Sequence, residues 1–155
     1  MKHLLSLALM GAGACALCVM PSFQKHPLQR KFFHRCFAHR GLFDNQTRCE
    51  NSLSAFEAAA QAGYGIELDV QFTSDHRLVV FHDDTLDRMT PAKGFVHDMD
   101  WAHFSALPLA GSEEHPPLFA DMLRTVAEAN PATPLIVEIK SRSAVSYTHL
   151  RAHET

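Results

Sequence analysis

The chain has 155 residues, the size of one ordinary domain, of which 46% are hydrophobic and 20% charged. Its formal net charge is −3 and it carries no basic stripe with interleaved aromatic residues, which argues against a nucleic-acid-binding protein. The four cysteines give no disulfide framework, and no two have zinc-ligand spacing in a plausible loop, so we expect free thiols.

The first predicted element is an apolar segment at residues 4–20. Three interpretations stay open: an uncleaved membrane anchor, a cleaved export signal and a buried core helix. More basic residues follow the segment than precede it, and positive charge tends to stay on the cytoplasmic side of a membrane. We therefore expect residues 1–24 to be an anchor or signal peptide and residues 25–35 a basic linker. A bacterial, membrane-associated protein that faces the cytoplasm is favoured over an exported one.

Short apolar runs and helical patterns then alternate along the chain. A run at 36–41 is followed by a helical pattern at 52–62, which ends at Gly63, a usual helix terminator, and has Asn51 as a good N-cap. Two further apolar runs come next, at 65–70 and 78–83. A second helical pattern at 119–129 ends before a proline, and a last apolar run lies at 134–140. Strands that alternate with helices indicate βα units and a parallel sheet.

Charged residues lie inside the apolar runs, where an ionised group is costly unless it is paired or bound to a cation. Residues two apart on a strand share a face, so Glu67 points the same way as Asp69, and Glu138 the same way as Lys140. Sites form at the carboxyl ends of parallel strands. The sequence therefore predicts a polar site at the strand ends, where oxygen ligands without cysteine suit calcium or magnesium.

Five short motifs occur in order along the chain, and together they resemble the glycerophosphodiester phosphodiesterase family. They are His39-Arg40-Gly41, Glu50-Asn51-Ser52, Glu67-Leu68-Asp69, His82-Asp83 and Glu138-Ile139-Lys140. The resemblance extends from about residue 37 to residue 141. Cys49 departs from it, because many members have proline before the Glu-Asn pair.

The resemblance implies a TIM barrel that hydrolyses glycerophosphodiesters to sn-glycerol 3-phosphate and an alcohol with one divalent cation, Ca²⁺ or Mg²⁺. His39 and His82 would be the general acid/base pair that alternates roles through a cyclic phosphate, and Glu50 would lie beside the metal or the glycerol hydroxyls. The phosphate would be bound by Arg40 and Lys140. The metal ligands would be Glu67, Asp69 and Glu138.

Structural interpretations of the same residues stay open. His82 could be a structural histidine at a strand end, and Glu67 and Asp69 could form ion pairs with Arg40 or Lys140. Asp83 and Asp84 are expected to stabilise the loop that follows His82 and the turn after it. The joint occurrence of the motifs favours the catalytic interpretation.

We expect residues 36–143 to be a partial domain with about the first four βα units of a (β/α)8 barrel, since a closed barrel takes about 250 residues. Residues 144–155 depart from the family, and residues 146–155 resemble a translated adapter or vector sequence, which indicates a reading frame truncated after the fourth strand. Two other functions stay open: an inactive or non-catalytic membrane-anchored fragment, and a related phosphodiesterase that acts on lysophospholipids.

Overall fold

A long central strand organises the fold. The computed structural model describes residues 32–44, 46–110 and 112–140, and its longest strand is β2 (Gly65–Phe72). Strand β1 (Phe37–His39) pairs parallel to the first half of β2, and β4 (Leu135–Ile139) pairs parallel to its middle. Ile66 has a partner in both β1 and β4, so these two strands lie on opposite edges of β2.

Strand β3 (Leu78–Val80) pairs antiparallel with the carboxyl end of β2. The prediction that the run at 78–83 is a strand of a parallel sheet built from βα units is therefore wrong. The physical reason is the short connection at 73–77, because a parallel return needs a crossover of about a dozen residues or more. Thr73 and His76 close this turn, with His76 in a left-handed conformation at φ 59°.

The side chains of β2 alternate between an apolar face and a polar face. Ile66, Leu68 and Val70 are at most 2% exposed and pack on helices α1 (Leu53–Gln61) and α3 (Phe119–Ala129). Glu67, Asp69 and Gln71 occupy the alternate positions, which a strand directs to the opposite side. The helices thus cover one face of the sheet and leave the carboxylates on the other.

Both predicted helices are confirmed, with one correction at the start of the first. Ser52, not Asn51, is the N-cap of α1, and its Oγ accepts a hydrogen bond from the amide of Ala55. Asn51 instead adopts a left-handed conformation at φ 57°. Gly63 follows the helix at φ 78°, as the sequence predicts for its terminator.

A second apolar cluster supports the segment that follows β3. Phe81 packs edge to face on Phe104 of the short helix α2 (Trp101–Phe104), with ring centroids 5.5 Å apart. The rest of the cluster comprises Cys49, Val79, Leu86, Met89, Val96 and Leu109. Cys49 and Cys36 are free thiols, as expected.

Glu114 joins this second region to the start of α1. Its carboxylate accepts hydrogen bonds from the backbone amides of Cys49 and Ser54, at 3.2 and 3.3 Å. Replacing Glu114 with alanine leaves two backbone donors without that partner, and we expect it to lower the free energy of unfolding by about 1–3 kcal/mol. Urea unfolding measures the change, with Glu113→Ala as the control because Glu113 is exposed. Equal stability of the two variants would contradict the bridging role.

The sheet edge formed by β4 exposes apolar surface. Ile136 is 43% exposed and Ile139 36%. Within the described residues, no helix is long and apolar enough to cross a membrane. The apolar segment at 4–20, most of the basic linker at 25–35 and the tail at 144–155 lie outside the described residues.

Candidate active site

Three carboxylates meet on the polar face of the sheet. Asp69 of β2 pairs in register with Glu138 of β4, and Glu67 lies two residues before Asp69 on the same face. Each of the three offers an oxygen within 4.8 Å of the other two. Asp69 is buried at 1% exposure. The structure therefore brings together the three residues for which the sequence predicts metal binding.

Lys140 and Arg40 place positive charge beside these three carboxylates. The Nζ of Lys140 lies 3.0 Å from Oδ1 of Asp69 and 2.6 Å from Oε1 of Glu138. Burial alone would lower the pKa of Lys140, but the hydrogen bonds that its ammonium donates to Glu138 and Asp69 outweigh it and raise that pKa. Lys140 thus pairs with carboxylates in this structure, which is one of the structural interpretations left open by the sequence.

Arg40 is held beside the carboxylates by an unusual backbone. Arg40 and Asn51 both have left-handed conformations, at φ 58° and 57°, and the amide of Asn51 donates to the carbonyl of Arg40 at 2.9 Å. A left-handed backbone conformation costs a non-glycine residue about 1–3 kcal/mol, and such residues cluster at functional sites. Gly41 follows at φ 86°, where an added Cβ would come within 2.9 Å of the backbone of Ala55.

Most of the N–H donors of the Arg40 guanidinium make no hydrogen bond with the described residues. Nη1 donates to Oε1 of Glu50 at 2.9 Å, and Nε lies 3.6 Å from Oδ2 of Asp69 without a hydrogen bond. Among the described residues, the contact with Glu50 is the one hydrogen bond made by its side chain, although a guanidinium has five N–H donors. Planar donors of this kind match phosphate oxygens.

Glu50 is buried between two arginines. Its side chain is 7% exposed and contacts Arg40 and Arg88. Burial alone would raise the pKa of Glu50, but hydrogen bonds and charges from Arg88 and then Arg40 lower it below the usual range. Glu50 is therefore an ionised acceptor at neutral pH.

His82 is oriented by its neighbour Asp83, which is consistent with the loop-stabilising role expected for that aspartate. Nδ1 of His82 lies 2.6 Å from Oδ1 of Asp83. Hydrogen bonds from Arg88, and then from His82, lower the pKa of Asp83 to about 2. Because an ionised carboxylate only accepts hydrogen bonds, we assign the proton to Nδ1, which leaves the Nε2 lone pair of neutral His82 for proton transfer.

His39 ends strand β1 and is the more exposed of the two histidines. Its side chain is 67% exposed, against 31% for His82, and its Nε2 lies 3.8 Å from Oε2 of Glu67. The short strand β1 brings it here because His39 pairs in register with Glu67.

Arg88 and Gln71 are parts of the site that the sequence did not indicate. Arg88 contacts both Glu50 and Asp83, whereas an arginine in a polar turn has no distinguishing sequence signal. The Gln71 amide donates to the carbonyls of Phe81 and Asp83, on either side of His82. Its place on the polar face of β2, two residues after Asp69, was the available signal.

The residues present fit a hard divalent cation. Oε2 of Glu67 is buried and makes no hydrogen bond with the described residues, and carboxylate oxygens without thiolates are the ligands that Ca²⁺ and Mg²⁺ prefer. Glu67, Asp69 and Glu138 would hold such an ion.

Comparison with known proteins gives one consistent family. The sequence profile of the glycerophosphoryl diester phosphodiesterase family matches residues 39–154, which extends past Lys140, where the last motif ends. A glycerophosphodiester phosphodiesterase from Caldanaerobacter subterraneus subsp. tengcongensis is 53% identical over 62 residues, which cover 39% of this chain and 25% of that protein. The human protein named lysophospholipase D GDPD1 is 28% identical over 138 residues, which cover 81% of this chain and 42% of that protein.

The fold matches a solved structure of the same kind. A phosphodiesterase from Oleispira antarctica, in complex with the product sn-glycerol-3-phosphate, aligns with a TM-score of 0.63 and 26% identity. The alignment covers 72% of this chain and 46% of that one. The chain thus spans less than half the length of each of these three proteins.

Proposed function

This chain belongs to the glycerophosphoryl diester phosphodiesterase family, and we propose that the protein hydrolyses glycerophosphodiesters to sn-glycerol 3-phosphate and an alcohol. The observation that carries the proposal is the convergence of Glu67, Asp69 and Glu138 beside Arg40. We place these residues at one end of a TIM-barrel fold, which the parallel pairing of β1, β2 and β4 and the similarity to the Oleispira antarctica phosphodiesterase support.

Arg40 is the proposed phosphate contact. A phosphodiester is anionic, and a fixed cationic donor stabilises the charge that it carries into the transition state. Arg40 has unused donors and a backbone held by Glu67 and Asn51, so little reorganisation is needed when substrate binds. Lys140 is a second source of positive charge, through its contacts with Asp69 and Glu138.

The two histidines are the proposed proton carriers. One histidine accepts the proton of the glycerol hydroxyl next to the phosphate as that oxygen attacks phosphorus, and the other gives a proton to the departing alcohol oxygen. The P–O bond to the alcohol breaks and a cyclic phosphate forms. Water then opens the ring with the two roles exchanged. His82 with Nδ1 on Asp83 is arranged for such transfer through Nε2.

A divalent cation, Ca²⁺ or Mg²⁺, is proposed at Glu67, Asp69 and Glu138. When bound, it would supply positive charge that neutralises the phosphate oxygens in the transition state. The observation that favours it is the buried Oε2 of Glu67 without a hydrogen-bond partner among the described residues.

A direct assay tests the function. The full-length product of the gene should release sn-glycerol 3-phosphate from glycerophosphocholine, lose this activity in EDTA and regain it with Ca²⁺ or Mg²⁺. Release of phosphocholine and glycerol, in place of choline and glycerol 3-phosphate, would contradict the proposed bond cleavage. An inactive protein that still binds glycerol 3-phosphate would instead support the non-catalytic alternative.

A lysophospholipid substrate is the second candidate. It is favoured by the match to the human protein named lysophospholipase D GDPD1, which extends over 81% of this chain. Parallel assays with glycerophosphocholine and lysophosphatidylcholine separate the two, since the candidate with the higher kcat/KM is the better substrate.

A further inference from the structure

Arg88 connects two motifs of the proposed site that are far apart in sequence. Its Nη1 and Nη2 donate to the two carboxylate oxygens of Glu50, at 3.0 and 2.6 Å. Its Nε and Nη2 donate to the two oxygens of Asp83, at 2.6 and 3.0 Å. One guanidinium therefore makes paired contacts with both carboxylates, an arrangement that fixes orientation as well as distance.

The turn that carries Arg88 is itself anchored. Leu86 and Met89, on either side of it, are 1% and 7% exposed and belong to the second apolar cluster. The amide of Leu86 donates to the carbonyl of Gly94, and the amide of Thr90 to the carbonyl of Leu86, both at 2.9 Å. The backbone beneath the guanidinium is thus held independently of the two carboxylates.

We propose that Arg88 is a positioning residue that holds the Asp83–His82 pair and Glu50 in a fixed relation to each other. This inference rests on the proposed function, in which His82 transfers a proton and Arg40, the hydrogen-bond partner of Glu50, contacts the phosphate. The chain of contacts runs from Glu50 to Arg88, from Arg88 to Asp83, and from Asp83 to Nδ1 of His82.

Arg88 differs from Arg40 in having no donor left for a substrate. A guanidinium has five N–H donors, and the structure gives Arg88 four contacts with carboxylate oxygens and one with Sδ of Met89. Arg40 makes one side-chain hydrogen bond among the described residues. The two arginines therefore have different roles in the proposal. Arg40 contacts the phosphate, and Arg88 orients the carboxylates of Glu50 and Asp83.

The kinetic test uses Arg88→Met and Arg88→Lys in the full-length gene product, at a temperature where both variants are folded by circular dichroism. A residue that positions the proton carrier affects the transition state, so Arg88→Met should lower kcat about 10-fold or more and change KM by less than about threefold. Arg88→Lys should recover only part of the loss, because an ammonium cannot make both paired contacts. The control is Arg124→Met, since Arg124 is an exposed arginine that pairs with Asp121 on α3.

A double variant separates positioning from a general structural effect. If Arg88 acts on His82 through Asp83, the loss of kcat in the double variant Arg88→Met with Asp83→Asn should be smaller than the product of the two single losses. Fully additive losses would overturn the inference. A raised KM with unchanged kcat would also overturn it, because Arg88 would then be a substrate-binding residue.

A spectroscopic measurement keeps the inference testable even if the protein releases no glycerol 3-phosphate and the proposed function fails. At about pH 8, above the ordinary histidine pKa, ¹⁵N NMR distinguishes the two neutral imidazole tautomers. His82 in the unmodified protein should carry its proton on Nδ1. In Arg88→Met, the tautomer population should shift toward that of Asp83→Ala, and an unchanged population would contradict the positioning role.

Discussion

Replacing His39 or His82 with alanine is expected to lower kcat about 100-fold or more, while the protein stays folded. Each proposed half-reaction needs one group to accept a proton and another to donate one, so loss of either histidine slows both. Neither side chain belongs to the apolar core, and His39 is 67% and His82 31% exposed. Steady-state assays of glycerol 3-phosphate release by the full-length gene product measure the effect, and thermal unfolding checks the fold.

The matched control is His103→Ala. Nδ1 of His103 lies 2.7 Å from Oδ1 of Asp100, so this pair repeats the contact of His82 with Asp83. The His103–Asp100 pair lies on and beside α2, without a contact to the three site carboxylates among the described residues. We expect His103→Ala to keep kcat close to that of the unmodified protein. Full activity in both the His39 and His82 variants would remove the acid/base assignment.

Periodicity and charge in the sequence were sufficient to predict the polar face of the sheet. In β2, Glu67 and Asp69 alternate with Ile66 and Leu68, and this period of two sends carboxylates and core residues to opposite sides. The family resemblance, not this periodicity, placed Glu138 with Asp69, and the two residues do pair in register on adjacent parallel strands. The helices were predictable from periodicity, since Phe56 and Ala60 of α1 recur on one face.

Interactions between distant residues were not predictable in the same way. The apolar run at 78–83 has the composition of a parallel strand, and only the short connection at 73–77 indicates a hairpin. Asn51 has the side chain of an N-cap, yet its amide bonds to Arg40 and moves the helix start to Ser52. Arg88 reaches Glu50 across 38 residues of sequence, and no local pattern encodes that contact.

Asp69→Asn is expected to raise the Ca²⁺ or Mg²⁺ concentration for half-maximal activity about 10-fold or more. Removing a group that only supports a metal ligand already lowers metal affinity by about 10-fold or more, and loss of a ligand should have at least that effect. Asparagine keeps the shape of the side chain but removes the negative charge that faces the proposed cation. Asp69 is 1% exposed, so water cannot readily take its place.

The same substitution also tests what holds Lys140. Oδ1 of Asp69 lies 3.0 Å from Nζ of Lys140, and Oδ2 lies 3.6 Å from Nε of Arg40. Removing one partner of a buried ion pair is costly, by about 3–5 kcal/mol when the other charge is left uncompensated. Glu138 still pairs with Lys140 at 2.6 Å and limits that cost, so the variant should fold with reduced stability.

Metal titrations of the unmodified protein, Asp69→Asn and Asp121→Asn decide between metal binding and a purely structural role. Asp121 is the control because it is an aspartate on α3 that pairs with Arg124. A metal ligand raises the cation requirement, and it also reduces the rise in Tm that saturating Ca²⁺ or Mg²⁺ produces, because binding to the folded state stabilises it. If Asp69→Asn instead lowers Tm and leaves the cation requirement unchanged, its carboxylate serves the ion pair with Lys140, and Glu67 and Glu138 hold no cation with it.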